Sequence, residues 1–400
     1  MPSLLALLLA TAPLSFDDAL SLAARAPQVA AAQRAAAARR SNAATVSSLQ
    51  ANPTLGLQPG VRTNVTGTGP EFIGTLTQSL NVSGYSAARR EAVALEVAQA
   101  QGGARLEAHL ARLSVADAWL RVWSAQGVLA EARRELELAG DLGGRVGRAA
   151  QSGAITKADA AAVRAWVAEA RLAVLSAEGE LFDTGVQLNR SLGLDAAAPA
   201  QVATELPALV LPQADALAQS LGRAERAPAV RAALQLRDAE EGRARELVAS
   251  KGTWLQVGAT GGREGLGDVV VLGTLAVTIP VFDKGERDAA PLLAAATQAE
   301  GARLLALAEA RAARVLVAHE LEHTQETLEV VERELVPASD EAAQGTQRRM
   351  EAGEATSQEW VLARRAALAA RSRWVRARAE HALACFRAQE FVAVTTGDVQ

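Results

Sequence analysis

Residues 271–280 read VLGTLAVTIP. In an extended chain successive side chains point to opposite faces. Val271, Gly273, Leu275, Val277 and Ile279 therefore share one face, and Thr274, Ala276 and Thr278 share the other. One apolar face and one small, polar face over about ten residues is what a strand of an outer-membrane barrel requires. Just upstream, Leu255, Val257 and Ala259 lead into a Gly-rich turn from Gly261 to Asp268. A hairpin is expected over about 253–281. The alternation also suits an ordinary half-buried hairpin, so the pattern by itself leaves both readings open.

Working outward, the same plan stands about 200 residues earlier. Asn52-Pro53-Thr54-Leu55-Gly56-Leu57 opens an extended segment, and residues 64–70 (NVTGTGP) are turn chemistry. Phe72, Gly74, Leu76, Gln78 and Leu80 then alternate with Ile73, Thr75, Thr77 and Ser79. A first hairpin is expected over about 53–82. The flanks repeat as well. Ser21-Leu22 and Arg25-Ala26-Pro27-Gln28-Val29 answer to Ser220-Leu221 and Arg226-Ala227-Pro228-Ala229-Val230. Gln151-Ser152-Gly153-Ala154-Ile155-Thr156 answers to Glu351-Ala352-Gly353-Glu354-Ala355-Thr356. The chain reads as a duplicated unit of helix, hairpin, long helix, tight turn and helix. The expected parts are a first repeat over 13–194, a linker over 195–215, a second repeat over 216–392 and a tail over 393–400. Four strands cannot close a barrel around a pore, and lipid tolerates no open sheet edge. If the hairpins enter a membrane, the protein must be an oligomer.

The helices set the class: mainly α, with a small β part. From Ser86 to Ala150 there is no proline, and one helix of that length would reach roughly 100 Å. Gly102-Gly103 and Gly143-Gly144 leave a stack of shorter helices open as an alternative. In the second half Val317, Leu321, Thr324, Leu328, Val331 and Leu335 alternate steps of four and three, a heptad seam with one polar member. Hydrophobic residues make up 50% of the chain but aromatics only 3%, with alanine supplying most of the difference. Helices packed through alanine approach closely and form thin-walled assemblies rather than thick cores.

Other features exclude functions. A net charge of −4, with no Lys/Arg block and almost no aromatic residues to stack bases, gives no reason to expect nucleic acid. Cys385 is the one cysteine, so there is no internal disulfide and no multi-cysteine metal site. There is no G-x-x-x-x-G-K-[ST] phosphate loop. Residues 1–12 are expected to be a signal peptide. Leu4 to Ala10 is its apolar core and Ala10-Thr11-Ala12 its cleavage pattern, although a basic start is lacking and Pro13 follows the cut. That run is far too short to cross a bilayer as a helix.

With these residues in order, the chain resembles the TolC-type outer-membrane efflux family from about Leu14 to Val392. Leu188-Asn189-Arg190-Ser191-Leu192-Gly193-Leu194 is similar to the signature that ends the family's first repeat. Thr278-Ile279-Pro280-Val281-Phe282-Asp283-Lys284-Gly285 is similar to its exit from the barrel, and the Gly153–Thr156 and Gly353–Thr356 turns to its helix tips. Asn52-Pro53 and Gly84-Tyr85-Ser86-Ala87-Ala88-Arg89 look most like the heavy-metal-efflux branch. The chain departs from the pattern at Leu80-Asn81-Val82-Ser83, which lacks the usual proline, and in having no N-terminal lipid-bearing cysteine.

The resemblance implies a homotrimer with a twelve-stranded outer-membrane β-barrel, continued into the periplasm by an α-helical coiled-coil tunnel. It implies a passive duct, working with a periplasmic adaptor and an inner-membrane pump, without cofactor or catalysis. Metal ions or small toxic molecules are the expected cargo. Leu275, Val277 and Ile279 would face lipid, and Thr274 and Thr278 the lumen. Asp159 and Glu359, six positions after the turn glycines, would line the periplasmic aperture, where rings of carboxylates attract cations. Arg148, Arg348 and Arg349 would hold that aperture by ion pairs. Gly153, Ala154, Thr156, Gly353, Glu354 and Thr356 would form the adaptor-docking tips.

One motif points elsewhere. His319-Glu320-Leu321-Glu322-His323 matches H-E-x-x-H, in which two histidines one turn apart chelate zinc and the glutamate acts as general base. The competing reading is a secreted zinc metalloprotease. Against it, the Val317/Leu321 seam turns both histidines to the opposite side of the helix, and only His109 and His381 remain as further histidines. Binding of a passing metal ion by His319 and His323 is a middle reading. A structural coiled-coil scaffold is a third, which leaves the alternating hairpins without a role.

Overall fold

The computed structural model describes residues 13–46, 52–65, 67–153, 155–209, 221–264 and 267–396. The expected signal peptide, Ala154 and the end of the expected linker lie outside them. In chain order the elements are α1 (Phe16–Ala23), α2 (Pro27–Ala44), β1 (Thr54–Asn64), β2 (Gly67–Asn81), α3 (Tyr85–Gln151) and α4 (Lys157–Leu192). A 3₁₀ turn (Leu221–Arg226) follows, then α5 (Pro228–Ser250), β3 (Trp254–Glu264), β4 (Asp268–Thr278) and α6 (Glu286–Val330). A π segment (Val331–Leu335) leads into α7 (Val336–Glu351), and α8 (Ser357–Thr396) ends the series.

The proline-free stretch forms one helix, α3, of 67 residues, so the stacked-helix alternative is set aside. Alanine-rich sequence with no β-branched run carries it through its glycines. In the second half the corresponding run is broken at one place. Pro337 has no N–H to offer the preceding turn, and the five-residue π segment just before it takes up the mismatch. The seam itself is real: Val331 is buried and Val317, Leu321, Thr324, Leu328 and Leu335 are all part-buried, while most of their neighbours are exposed. Its polar member Thr324 lies 3.3 Å from His381 Nδ1.

The chain divides into two compact units that both draw on both halves of the sequence: 1–31, 107–227 and 308–400 in one, 32–106 and 228–307 in the other. The repeats are therefore interleaved rather than laid end to end.

The first unit holds the larger core. Phe16 stacks edge-on against both Trp119 and Phe386, at 5.3 and 5.4 Å between centroids, and Leu188, Leu192, Val202 and Val375 close the cluster. The chain entry is pinned there. Leu14 forms a parallel bridge with Val202, and its carbonyl also accepts the Trp119 indole N–H at 3.0 Å. Trp123 donates to the Thr204 carbonyl at 2.9 Å, so the segment after α4 is tied to α3 by two tryptophans and the bridge.

The LNRSLGL motif explains itself at this point. Leu188 and Leu192 enter the core, and buried Asn189 donates to the Ala198 carbonyl at 2.8 Å. Gly193, at φ +69°, ends α4 in the left-handed conformation and passes so close to Pro27 that a side chain there would collide with it.

The second unit has almost no large core residues. Its helices meet through buried Ala92, Ala239, Ala244, Ala289, Ala296 and Ala299. Charge supplies the rest. Glu96 takes Arg243 at 2.6 Å and Arg39 at 3.0 Å, and Arg237 reaches Glu300 at 3.1 Å. Arg303 and Arg237 hold the Glu300 carboxyl down at about 2.

Candidate functional site

The four strands form one antiparallel sheet in the order β1-β2-β3-β4. Its register decides what each face is. Leu57 stands opposite Gly74, then Gly261, then Val271; Leu55 opposite Leu76, then Ala259, then Gly273. Gln78, Val257 and Leu275 make the next row, and Leu80, Leu255 and Val277 the next. The apolar sets of all four strands thus fall on one side, with Thr63, Thr68, Gln78 and Arg263 the polar exceptions. Leu275, at 71% exposed, and Leu55, at 67%, have nothing packed over them in the chain.

The other face is small and polar. Thr54, Thr77, Gly258 and Thr274 form one row, and Gly56, Thr75, Thr260 and Leu272 the next. The Thr75 and Thr260 hydroxyls lie 3.2 Å apart. Arg62 approaches Glu71 at 3.6 Å near the β1–β2 turn. Thr274 and Thr278 lie on this face, whereas Ile279 comes just after β4. Val270 and Leu272 also lie here, so the polar character stops short of the β3–β4 turn.

Gly262 fits because of close strand approach. A Cβ there would run into the Phe72 carbonyl and the Ile73 backbone across the β2–β3 pair. Glycine at such points lets a sheet bend sharply.

The helix tips carry the other expected residues. Gly153 (φ +76°) and Gly353 (φ +79°) take the left-handed conformation that ends α3 and α7. Thr156 then caps α4, its hydroxyl accepting from the Asp159 N–H at 3.1 Å and donating to the Asp159 carboxylate at 2.7 Å. Thr356 accepts from the Glu359 N–H at 3.2 Å, and the Glu359 carboxylate accepts from the Thr356 N–H at 2.9 Å. Asp159 and Glu359 are thus capping residues at two helix starts, a role the S/T-x-x-D/E spacing could have signalled and the aperture reading passed over.

Arg148, Arg348 and Arg349 stand exposed, and among the described residues none of them is ion-paired with a carboxylate of its own chain. Arg349 instead reaches the Glu354 carbonyl at 3.4 Å, beside the Schellman-type bond from the Glu354 N–H to the Arg349 carbonyl at 2.8 Å. Both tips are braced behind by a second core of Ala139, Leu142, Val163, Trp166, Ala170, Trp360 and Val361. Trp166 and Trp360 meet there, and Trp166 also donates to Glu135 at 2.9 Å.

Solved structures resemble the whole of this arrangement. A crystal structure of CusC, described in terms of the conformational changes accompanying folding and transmembrane channel formation, superposes with a TM-score of 0.73. It is 16% identical and covers 94% of this chain and 91% of its own. The Campylobacter jejuni CmeC outer membrane channel gives 0.72 at 12% identity, over 95% of this chain and 86% of its own. The outer membrane protein VceC from Vibrio cholerae gives 0.68 at 15% identity, over 94% and 95%. The chain has the efflux-channel fold. No family model matches the sequence, and no curated protein matches it. These likenesses do not single out the heavy-metal branch.

Within the efflux-channel fold the H-E-x-x-H motif has no protease geometry. Glu320, which would be the general base, is engaged by Arg387 at 2.7 Å. His319 and His323 are exposed on the helix surface, and the described residues offer no cluster of three or more metal-ligating side chains.

The efflux-channel fold also contains a buried polar site that the sequence did not announce. Glu390 on α8, only 8% exposed, meets residues of α3. Arg112 donates to it at 2.6 Å, and His109 Nδ1 stands 3.6 Å away. Burial pushes the Glu390 carboxyl up, but His109 and Arg112 outweigh it and leave the group below its ordinary range. Nearby on α8, burial lowers His381 and raises the Cys385 thiol, whose sulfur is 3.5 Å from His381 Nε2.

Proposed function

We propose that this protein is the outer-membrane channel of an efflux assembly, a passive duct rather than an enzyme. The sheet carries the reading. It has one mainly apolar face, one face rich in threonine and glycine, and two edge strands, β1 and β4, each 11 residues long. Strands of 9–11 residues match the thickness of a bilayer. Because the four strands alternate in direction, β4 of one copy can receive β1 of the next in antiparallel fashion, and closure removes every edge. Two copies would give eight strands, a number whose interior side chains fill. Three copies give twelve, enough to leave a duct, in line with the homotrimer implied by the family resemblance.

In that assembly Leu275, Val277 and Ile279 face lipid while Thr274 and Thr278 line the lumen. The helices extend into the periplasm. The tips, with Gly153, Thr156, Gly353, Glu354 and Thr356, meet a periplasmic adaptor, which links the duct to an inner-membrane pump that supplies energy and selects the cargo. Asp159 and Glu359 contribute six carboxylates to the aperture, a ring that favours cations. Arg148, Arg348 and Arg349 pair with carboxylates of neighbouring copies there.

The test is mass and conductance together. Purified protein in detergent should scatter light as a trimer and form ion-conducting pores in planar bilayers. A water-soluble monomer that forms no pores would overturn the reading.

A further inference from the structure

The protease geometry fails, yet the histidine pair remains with no structural duty. His319 and His323 are one helical turn apart on α6, both exposed, with rings 5.9 Å apart and only 17° from parallel. Neither belongs to the seam, whose members Val317, Leu321 and Thr324 face inward. Glu320 is held by Arg387 on that inner side and takes no part.

We propose that His319 and His323 form a two-histidine site for a divalent transition-metal ion. Side chains at i and i+4 on a helix start about 5–6 Å apart, which is the spacing a bidentate chelate needs. Imidazole nitrogen suits copper, nickel and zinc over magnesium or calcium, with copper(II) bound tightest of the divalent ions. The regular helix fixes the two backbones, and the exposed rings need only side-chain rotation to bring one nitrogen of each within about 2 Å of an ion. Water supplies the remaining positions. Glu322 and Glu326 occupy the same exposed stretch and raise the local concentration of cations without serving as ligands. The site is independent of whether the chain conducts, so pore formation and metal binding can fail separately.

The experiment is copper(II) titration of the full-length protein in detergent, followed by electron paramagnetic resonance. One ion per chain is expected, with the hyperfine pattern of two nitrogen ligands. His319→Gln and His323→Gln should each weaken binding by about 10²-fold, because losing one of two tethered ligands loses the gain from linking them. Their spectra should show one nitrogen. Both changes lie on exposed surface, and an unchanged melting curve will establish that the helices persist. Glu320→Gln should bind copper as tightly as the unaltered chain. If either histidine variant retains full affinity, or the two-nitrogen signal survives in both, the ion sits elsewhere and the proposal is wrong.

Discussion

Trp166 and Trp360 meet edge to face, ring centroids 5.5 Å apart and planes at 87°, joining the helix that follows one tip turn to the helix that follows the other. Both side chains are buried, at 1% and 5% exposure. They are the largest side chains in the core behind the tips. Truncation of either to alanine should cost about 3–5 kcal/mol of local stability. The double variant should cost less than the sum, because the two share one contact. Thermal melts of the four proteins check both statements, and pores made from either single variant should show noisier opening.

The capping contacts of Asp159 and Glu359 and their proposed place in the aperture can be separated. Thr156→Ala together with Thr356→Ala removes the caps while keeping the carboxylates, at about 1 kcal/mol per helix start. Asp159→Asn together with Glu359→Gln removes the charge while keeping groups that can accept hydrogen bonds. Block of the pore by divalent cations should weaken in the second pair and persist in the first. Equal block in all variants would take these residues out of the aperture.

Acid should act on Glu390. Its carboxyl lies below its ordinary value in the folded chain, so it contributes stability above the unfolded carboxyl range and loses it as pH falls through the folded value. The melting temperature of the unaltered protein should therefore drop below about pH 4, the ordinary range for glutamate. Glu390→Gln should be less stable by about 1–3 kcal/mol near neutrality, through weaker hydrogen bonding to Arg112. The gap between the two proteins should close on acidification, as read from melts across the pH range.

Leu275 and Thr274 are neighbours on opposite faces of β4. Leu275→Arg should cost roughly 2–4 kcal/mol per copy at the bilayer middle and reduce assembled trimer in the outer membrane. Thr274→Arg should assemble and change conductance. Equal tolerance of both would refute the assigned faces.

Gly262→Val should prevent the β2–β3 pairing, since the new side chain meets backbone rather than a movable side-chain end. Loss of the proposed trimer, read by light scattering in detergent, is the expected outcome. The same substitution at Gly273, where a side chain meets open space, should be tolerated.

Much of this was legible in the sequence because it depends on local periodicity. Alternation around Leu275 gave the strand faces, and the 4–3 spacing from Val317 to Leu335 gave the seam. Gly153, Gly353 and the threonines after them gave the tips, since positive φ and capping are properties of a few adjacent residues. The rest depends on tertiary meetings. That Leu55, Leu76, Ala259 and Gly273 fall in one row requires the register of four strands. Nothing near Trp166 announces Trp360, and nothing near Glu390 announces Arg112. The π segment had a local sign in Pro337.

The unpaired rims of the sheet have a consequence for the life of the chain before assembly. Strands β1 and β4 are edge strands, paired on one side only, each 11 residues long beside an exposed apolar face. A lone copy in water is therefore a template for aggregation, and any strand of matching length can dock there. Survival should depend on speed and company: escort by a holding chaperone, low concentration of free copies, and a membrane within reach. A mutation that slows joining without weakening the finished barrel should lower yield through clumping.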